Sequence, residues 1–175
     1  MAKKLHPLNN RFWLFTLFSG LVSTSLATAN ETDEIANRLA ITDMLTQYAY
    51  RWDSKDSEGF SKLFTEEAVM ERRLNGELVD GSRLKGRASI FEYARRSHQG
   101  RLADRQTRHY FSGIVFLELN AESAVTENMA LITHQTANNS TAYISSSGIY
   151  RIVWQKTPEG WRMRERSLMT DGFRN

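Results

Sequence analysis

The 175 residues contain no cysteine and only two prolines. Without thiols there is no disulfide framework, no thiolate zinc site and no cysteine nucleophile. Long hydrophobic runs are lacking too. The longest, Phe12–Val22, falls short of the ~20 residues a transmembrane helix needs. At 41% hydrophobic and 25% charged residues the chain is neither disordered nor low in complexity. Its length suits one domain with a sizeable core.

A basic excess is also missing once the charge is located. The formal net charge of +3 comes from 23 Lys and Arg against 20 Asp and Glu. Lys3, Lys4 and Arg11 lie ahead of the apolar run, and no acid precedes Asn30, so residues 30–175 are formally neutral. Nucleic-acid binding needs basic excess on the folded domain and is not expected. The basic start, the apolar run and the closing Ala27-Thr28-Ala29 form a secretory signal pattern with cleavage after Ala29. The alternative is an uncleaved anchor. Export without cysteine suits a periplasm or the medium, with no membrane contact after cleavage.

Asn30–Trp52 reads as a long amphipathic helix, with Ile35, Leu39, Ile41, Met44, Leu45, Tyr48 and Trp52 recurring at helical steps. A short helix follows over Ser57–Phe64, with Asp56 placed to cap it. Ala68–Leu74 and Glu77–Asp80 flank Asn75-Gly76, a hairpin turn dipeptide. A third helix spans Ala88–His98. Four β-branched and aromatic runs then follow, Thr107–Leu119, Ala124–Thr136, Tyr143–Gln155 and Trp161–Thr170, joined by short polar turns. The expectation is an α+β domain with three N-terminal helices packed on a curved antiparallel sheet.

Three histidines fall in this domain: His98, His109 and His134. Strict alternation puts His109 on the face of Phe111, Gly113, Val115, Leu117 and Leu119, the apolar and inward one. Asp53, ending the long helix, is a candidate partner that would orient the ring; capping or ending a helix is its other reading. His134 shares the parity of Asn128, Ala130 and Ile132. Tyr48, Tyr50, Trp52, Tyr110 and Tyr150 are candidates to line the same space. His98 reads as a solvated residue at the end of its helix. Arg162, Arg164 and Arg166 alternate as an outer, solvated sheet face. No spacing such as HxH or HExxH points to a metal.

Taken together, the Tyr48-Ala49-Tyr50-Arg51-Trp52-Asp53 stretch running to Leu63-Phe64, the Lys85-Gly86-Arg87 helix entry, Thr107-Arg108-His109-Tyr110, Gly148-Ile149-Tyr150 and Gly160-Trp161-Arg162 resemble the NTF2-like superfamily, in its SnoaL-like and scytalone dehydratase-like branch. The resemblance covers Ile35 to Asp171. It implies a cone of sheet and helices around a pocket, with Asp53, His109 and His134 at the catalytic positions of the dehydratase-like members. It also implies homodimers through the outer sheet face. Trp52 stands where scytalone dehydratase has a tyrosine. Ile149 and Arg151 stand near its serine and asparagine, which leaves Arg151 to meet an anionic or carbonyl group if it points inward.

The implied activity is a lyase or isomerase on a small, partly apolar hydroxy or carbonyl compound, with no cofactor and no metal. The alternative is a non-catalytic ligand-binding or assembly module, with the pocket plugged by Met129, Met163, Phe111 and tryptophans. A bonded Asp53–His109 pair beside an open cavity of ~300 Å³ or more separates the two.

Overall fold

The computed structural model describes residues 16–172. Helix α1 (Thr16–Asp53) starts inside the apolar run rather than at Asn30, and Lys3, Lys4 and Arg11 lie outside the described residues. No helix among the described residues is long and apolar enough to cross a membrane. On α1 the buried stripe is Asn37, Ile41, Leu45, Tyr48 and Trp52, at three- and four-residue steps. Ile35 and Leu39, expected on that stripe, are exposed because they sit about half a turn round the helix from it. Asn37 takes the inward place instead, and its side-chain oxygen accepts from Lys156 Nζ at 2.8 Å and Trp161 Nε1 at 3.2 Å.

Helix α2 (Ser57–Ser61) is capped by Asp56, whose carboxylate accepts from the Gly59 N–H at 2.8 Å. Strands β1 (Phe64–Leu74) and β2 (Glu77–Leu78) form the hairpin expected around Asn75-Gly76, both residues with positive φ. The short β3 (Leu84–Lys85) also pairs with β1 and leads into α3 (Arg87–Gln99). Strands β4 (Arg105–Leu119), β5 (Ser123–Thr136), β6 (Asn139–Thr157) and β7 (Gly160–Thr170) make an antiparallel meander. The sheet order is β2-β1-β7-β6-β5-β4, and β1 joins β7 in parallel. The helices cover one face of this curved, unclosed sheet.

Bulges in β4 and β7 decide which of their residues point inward. In β4 the pairing shifts between Ser112 and Val115, where Gly113 adopts φ +61°. A glycine in the left-handed region is the hallmark of a bulge that inserts one unpaired residue. Beyond it the inward residues are Ile114 and Phe116, while Val115 and Leu117, expected inside, are exposed. In β7 the pairing shifts by one residue at Arg164, since Trp154 faces Met163 and Val153 faces Glu165. Trp161 and Met163 are buried before that bulge, Arg166 and Leu168 after it. Arg166 is therefore not on an outer face with Arg164. It is 8% exposed and points into the fold.

Candidate active site

A carboxylate at the C-terminal end of a helix meets the negative end of the helix dipole and must be held by donors. Asp53, the last residue of α1, has three. Its Oδ1 accepts from Thr107 Oγ1 at 2.6 Å and from His109 Nδ1 at 2.7 Å, and its Oδ2 accepts from the His109 backbone N–H at 2.8 Å. Capping of α2 falls to Asp56, so Asp53 is free for this role. The side chains of Asp53 and His109 are 9% and 6% exposed.

These contacts settle the tautomer. An ionised carboxylate only accepts, so the proton on His109 sits on Nδ1. In the neutral ring Nε2 then carries the lone pair; it has no partner among the described residues, and the ring lines a cavity of about 860 Å³. That volume is well above the ~300 Å³ at the small end of ligand pockets. Burial alone would raise the Asp53 pKa, but the His109 and Thr107 hydrogen bonds outweigh it, and the carboxyl sits below the usual aspartate range.

A depressed folded pKa stabilises the fold above the unfolded value, ~3.9 for Asp, and that stabilisation is lost as pH falls through the folded value. Glu71 is lowered likewise, burial being outweighed by Arg73, Arg83 and Ser167. The melting temperature should therefore fall progressively below about pH 4. Asp53→Asn should show a shallower acid limb than the parent in thermal melts from about pH 6 to pH 2. Parallel limbs would show that Asp53 contributes no pH-dependent stability.

His134 lies on β5 opposite Thr107, the residue that donates to Asp53. It lines the same cavity, packs edge-on to Tyr143 at 6.0 Å, and makes no hydrogen bond among the described residues. Burial, with Arg105 and Arg101 nearby, holds its pKa below the ordinary histidine value, so it is neutral at pH 7. Among the described residues no three His, Asp or Glu side chains converge as a metal site would require.

The expected substrate contacts divide by geometry. Tyr48, Trp52 and Tyr150 line the cavity. Tyr50 is 73% exposed, because two residues along a helix is more than half a turn from Tyr48. Tyr110 is 57% exposed, one step along β4 from His109 and so on the outer face. Arg151 is also one step off, beside inward Tyr150. It pairs with Glu127 at 2.8 Å on the outer face and does not line the cavity. Met129 likewise points outward, at 63% exposed, and plugs nothing.

The sequence reading puts Arg166 and His98 in solvent, and both are buried. Arg166 lines the cavity and donates from NH2 to the Tyr48 hydroxyl at 2.7 Å and from NH1 to the Glu71 carbonyl at 3.0 Å. The Tyr150 ring packs edge-on to Tyr48, with centroids 5.7 Å apart. With its oxygen accepting from Arg166, which can only donate, Tyr48 keeps its own proton to donate elsewhere. Burial raises its pKa despite Arg166, so the phenol stays neutral and a donor. The bulge in β7 is the only sequence-level cause of the missed arginine, and no residue marks it. His98, in turn, is not solvated. It is 5% exposed, its ring meets Trp52 edge-on at 4.7 Å, and Nδ1 bonds Ser57 Oγ at 2.7 Å, which buttresses the cavity wall from behind.

Nothing among curated proteins matches this sequence. Solved structures do. An NTF2-like protein with a cystatin-like fold from Novosphingobium aromaticivorans superposes with a TM-score of 0.70 at 22% identity, over 86% of this chain and 91% of that one. A candidate scytalone dehydratase from the same organism gives 0.69 at 20% identity, over 81% and 89%. Rv3472, a protein of unknown function from Mycobacterium tuberculosis, gives 0.69 at 25% identity, over 81% and 76%. The SnoaL-like domain family matches residues 33–167, a span that takes in the Asp53–His109 pair and the sheet as far as Ser167, and the chain belongs to that family.

Proposed function

We propose that this SnoaL-like protein is a cofactor-independent lyase or isomerase acting on a small, partly apolar hydroxy or carbonyl compound. The observation that carries the reading is the Asp53–His109 hydrogen bond of 2.7 Å on the wall of a cavity of about 860 Å³. His109 Nε2 is the base that takes a proton next to a carbonyl. Tyr48 donates to the oxygen on which charge develops or to the leaving hydroxyl, and neutral His134 is the second group placed for that step. Steps of this kind contribute about 10²–10⁴-fold each. The likeness to a candidate scytalone dehydratase supports the lyase side of the reading.

The test is exchange of the α-proton of hydroxy ketones, cyclic ketones and keto acids for deuterium in D₂O, followed by NMR, with elimination of water as the second readout. Exchange no faster than in buffer across such a panel would sink the proposal.

Export is part of the same reading. It is supported by Lys3, Lys4 and Arg11 ahead of the apolar run and by Ala27-Thr28-Ala29 after it. The expected N-terminal residue of protein recovered from outside the cytoplasm is Asn30. A chain that still starts at Met1 would show that the leader is not cleaved.

A further inference from the structure

Arginine keeps its charge at any pH a folded protein meets, and a buried charge is costly unless an opposite charge answers it. Arg166 is 8% exposed, and among the described residues it forms no ion pair. Its two hydrogen bonds among the described residues go to neutral oxygens, a phenol and a peptide carbonyl. Its Nε is buried with no hydrogen-bond partner among the described residues. The guanidinium lies near the rings of Tyr150 and Tyr48, 5.0 and 5.7 Å from their centroids. Such contacts stabilise the cation without neutralising it.

The acids on the cavity wall are placed otherwise. The Glu71 carboxylate is held by Arg73 and Arg83, at 2.7 Å each. Asp171 accepts from Ser147 Oγ at 2.6 Å. Asp80 is exposed and makes no ion pair among the described residues. Arg166 lines the cavity, so the cavity is the place left for the missing negative charge.

We infer that the ligand of this cavity is an organic carboxylate whose anionic group is seated on Arg166. The inference rests on the reading of this cavity as the substrate site and narrows its substrate class to a hydroxy or keto acid. One guanidinium with two of its nitrogens already committed suits a monoanion. A phosphate dianion calls for more positive charge than this, and the other arginines on the wall, Arg72 and Arg101, are exposed and screened by solvent.

The test is binding to the purified protein, by isothermal titration, of benzoate, 2-naphthoate and biphenyl-4-carboxylate, each beside its primary amide, together with 2-naphthyl phosphate. At least one acid should bind about tenfold or more tightly than its amide, as expected for a charge-assisted hydrogen bond. Arg166→Met should abolish that preference, and Arg166→Lys should keep part of it. Should Arg166→Met fail to fold, the acid–amide comparison in the parent and in Arg166→Lys decides.

The inference is overturned if the amides match the acids on all three skeletons or if no member of the panel binds. It is equally overturned if the preference survives in folded Arg166→Met, or if the naphthyl phosphate binds more tightly than naphthoate. His109→Ala should retain the acid preference. An acid preference without catalysed exchange therefore removes the acid–base reading and leaves the anion seat standing. Catalysed exchange without an acid preference does the reverse.

Discussion

Asp53→Asn should lower turnover by about 10²–10⁴-fold, the size of one general-base contribution, at a cost to stability of about 1–3 kcal/mol. The reason lies in which atom faces which donor. The backbone N–H of His109 can only donate, so the amide oxygen of Asn must take the place of Asp53 Oδ2, 2.8 Å away. The amide nitrogen then lands where Oδ1 was, against Thr107 Oγ1 and His109 Nδ1. The threonine hydroxyl can turn and accept. The imidazole can accept on Nδ1 only by moving its proton to Nε2, which removes the lone pair from the cavity side. His109→Ala should cost a similar factor by removing the base itself. The double variant should be no worse than His109→Ala alone, because groups acting as one unit are not additive. Steady-state rates on any substrate found by the exchange screen make the check. Independent, multiplicative losses would mean that Asp53 acts through something other than the ring.

How far such a site can be read from sequence depends on where strand alternation stays intact. It holds through β5, so His134 was legible beside Ala130 and Ile132, and through the first half of β4, so His109 was legible beside Phe111. It fails at Gly113, which sends Val115 and Leu117 outward, and at Arg164, which sends Arg166 inward. A bulge adds one residue to one strand, and hydrophobic patterning alone does not show it when both parities carry apolar side chains. Tyr50, Tyr110 and Arg151 were misplaced by a different cause. Each sits within two residues of a cavity residue, and an aromatic or cationic side chain carries no sign of which face it takes. The Asp53–His109 pair was proposed from the ends of two elements. Its support by Thr107 was not, since a buried threonine in a strand rich in β-branched residues looks like packing. Element order and the hairpin at Asn75-Gly76 were plain because turn chemistry and helical spacing are local signals.

The cavity depends on a wall that does no chemistry, and Phe60 is the residue on which that wall turns. Phe60 is fully buried on α2, with ring centroids 4.8 Å from Tyr48, 4.9 Å from Trp52 and 5.4 Å from Phe64. Tyr48 and Trp52 line the cavity, whereas Phe60 does not, so it acts by holding them. Phe60→Ala should destabilise the fold by about 3–5 kcal/mol, the transfer and cavity cost of a buried phenylalanine. At about 2–4 °C per kcal/mol for a domain of this size, that is a fall of roughly 6–20 °C in melting temperature. Phe60→Leu keeps most of the volume and should cost under about 1.5 kcal/mol. Activity should separate the two variants further. Below its melting point Phe60→Ala leaves space behind Tyr48 and Trp52, and a donor free to shift by an ångström loses alignment with His109. The loss should appear in kcat more than in acid binding, because the Arg166 guanidinium is also held by the Glu71 carbonyl and does not depend on Tyr48 alone. A melting temperature within two or three degrees of the parent would mean that α2 does not brace the site, and the search for what does would turn to His98, whose ring meets Trp52 from the side of α3 at 4.7 Å.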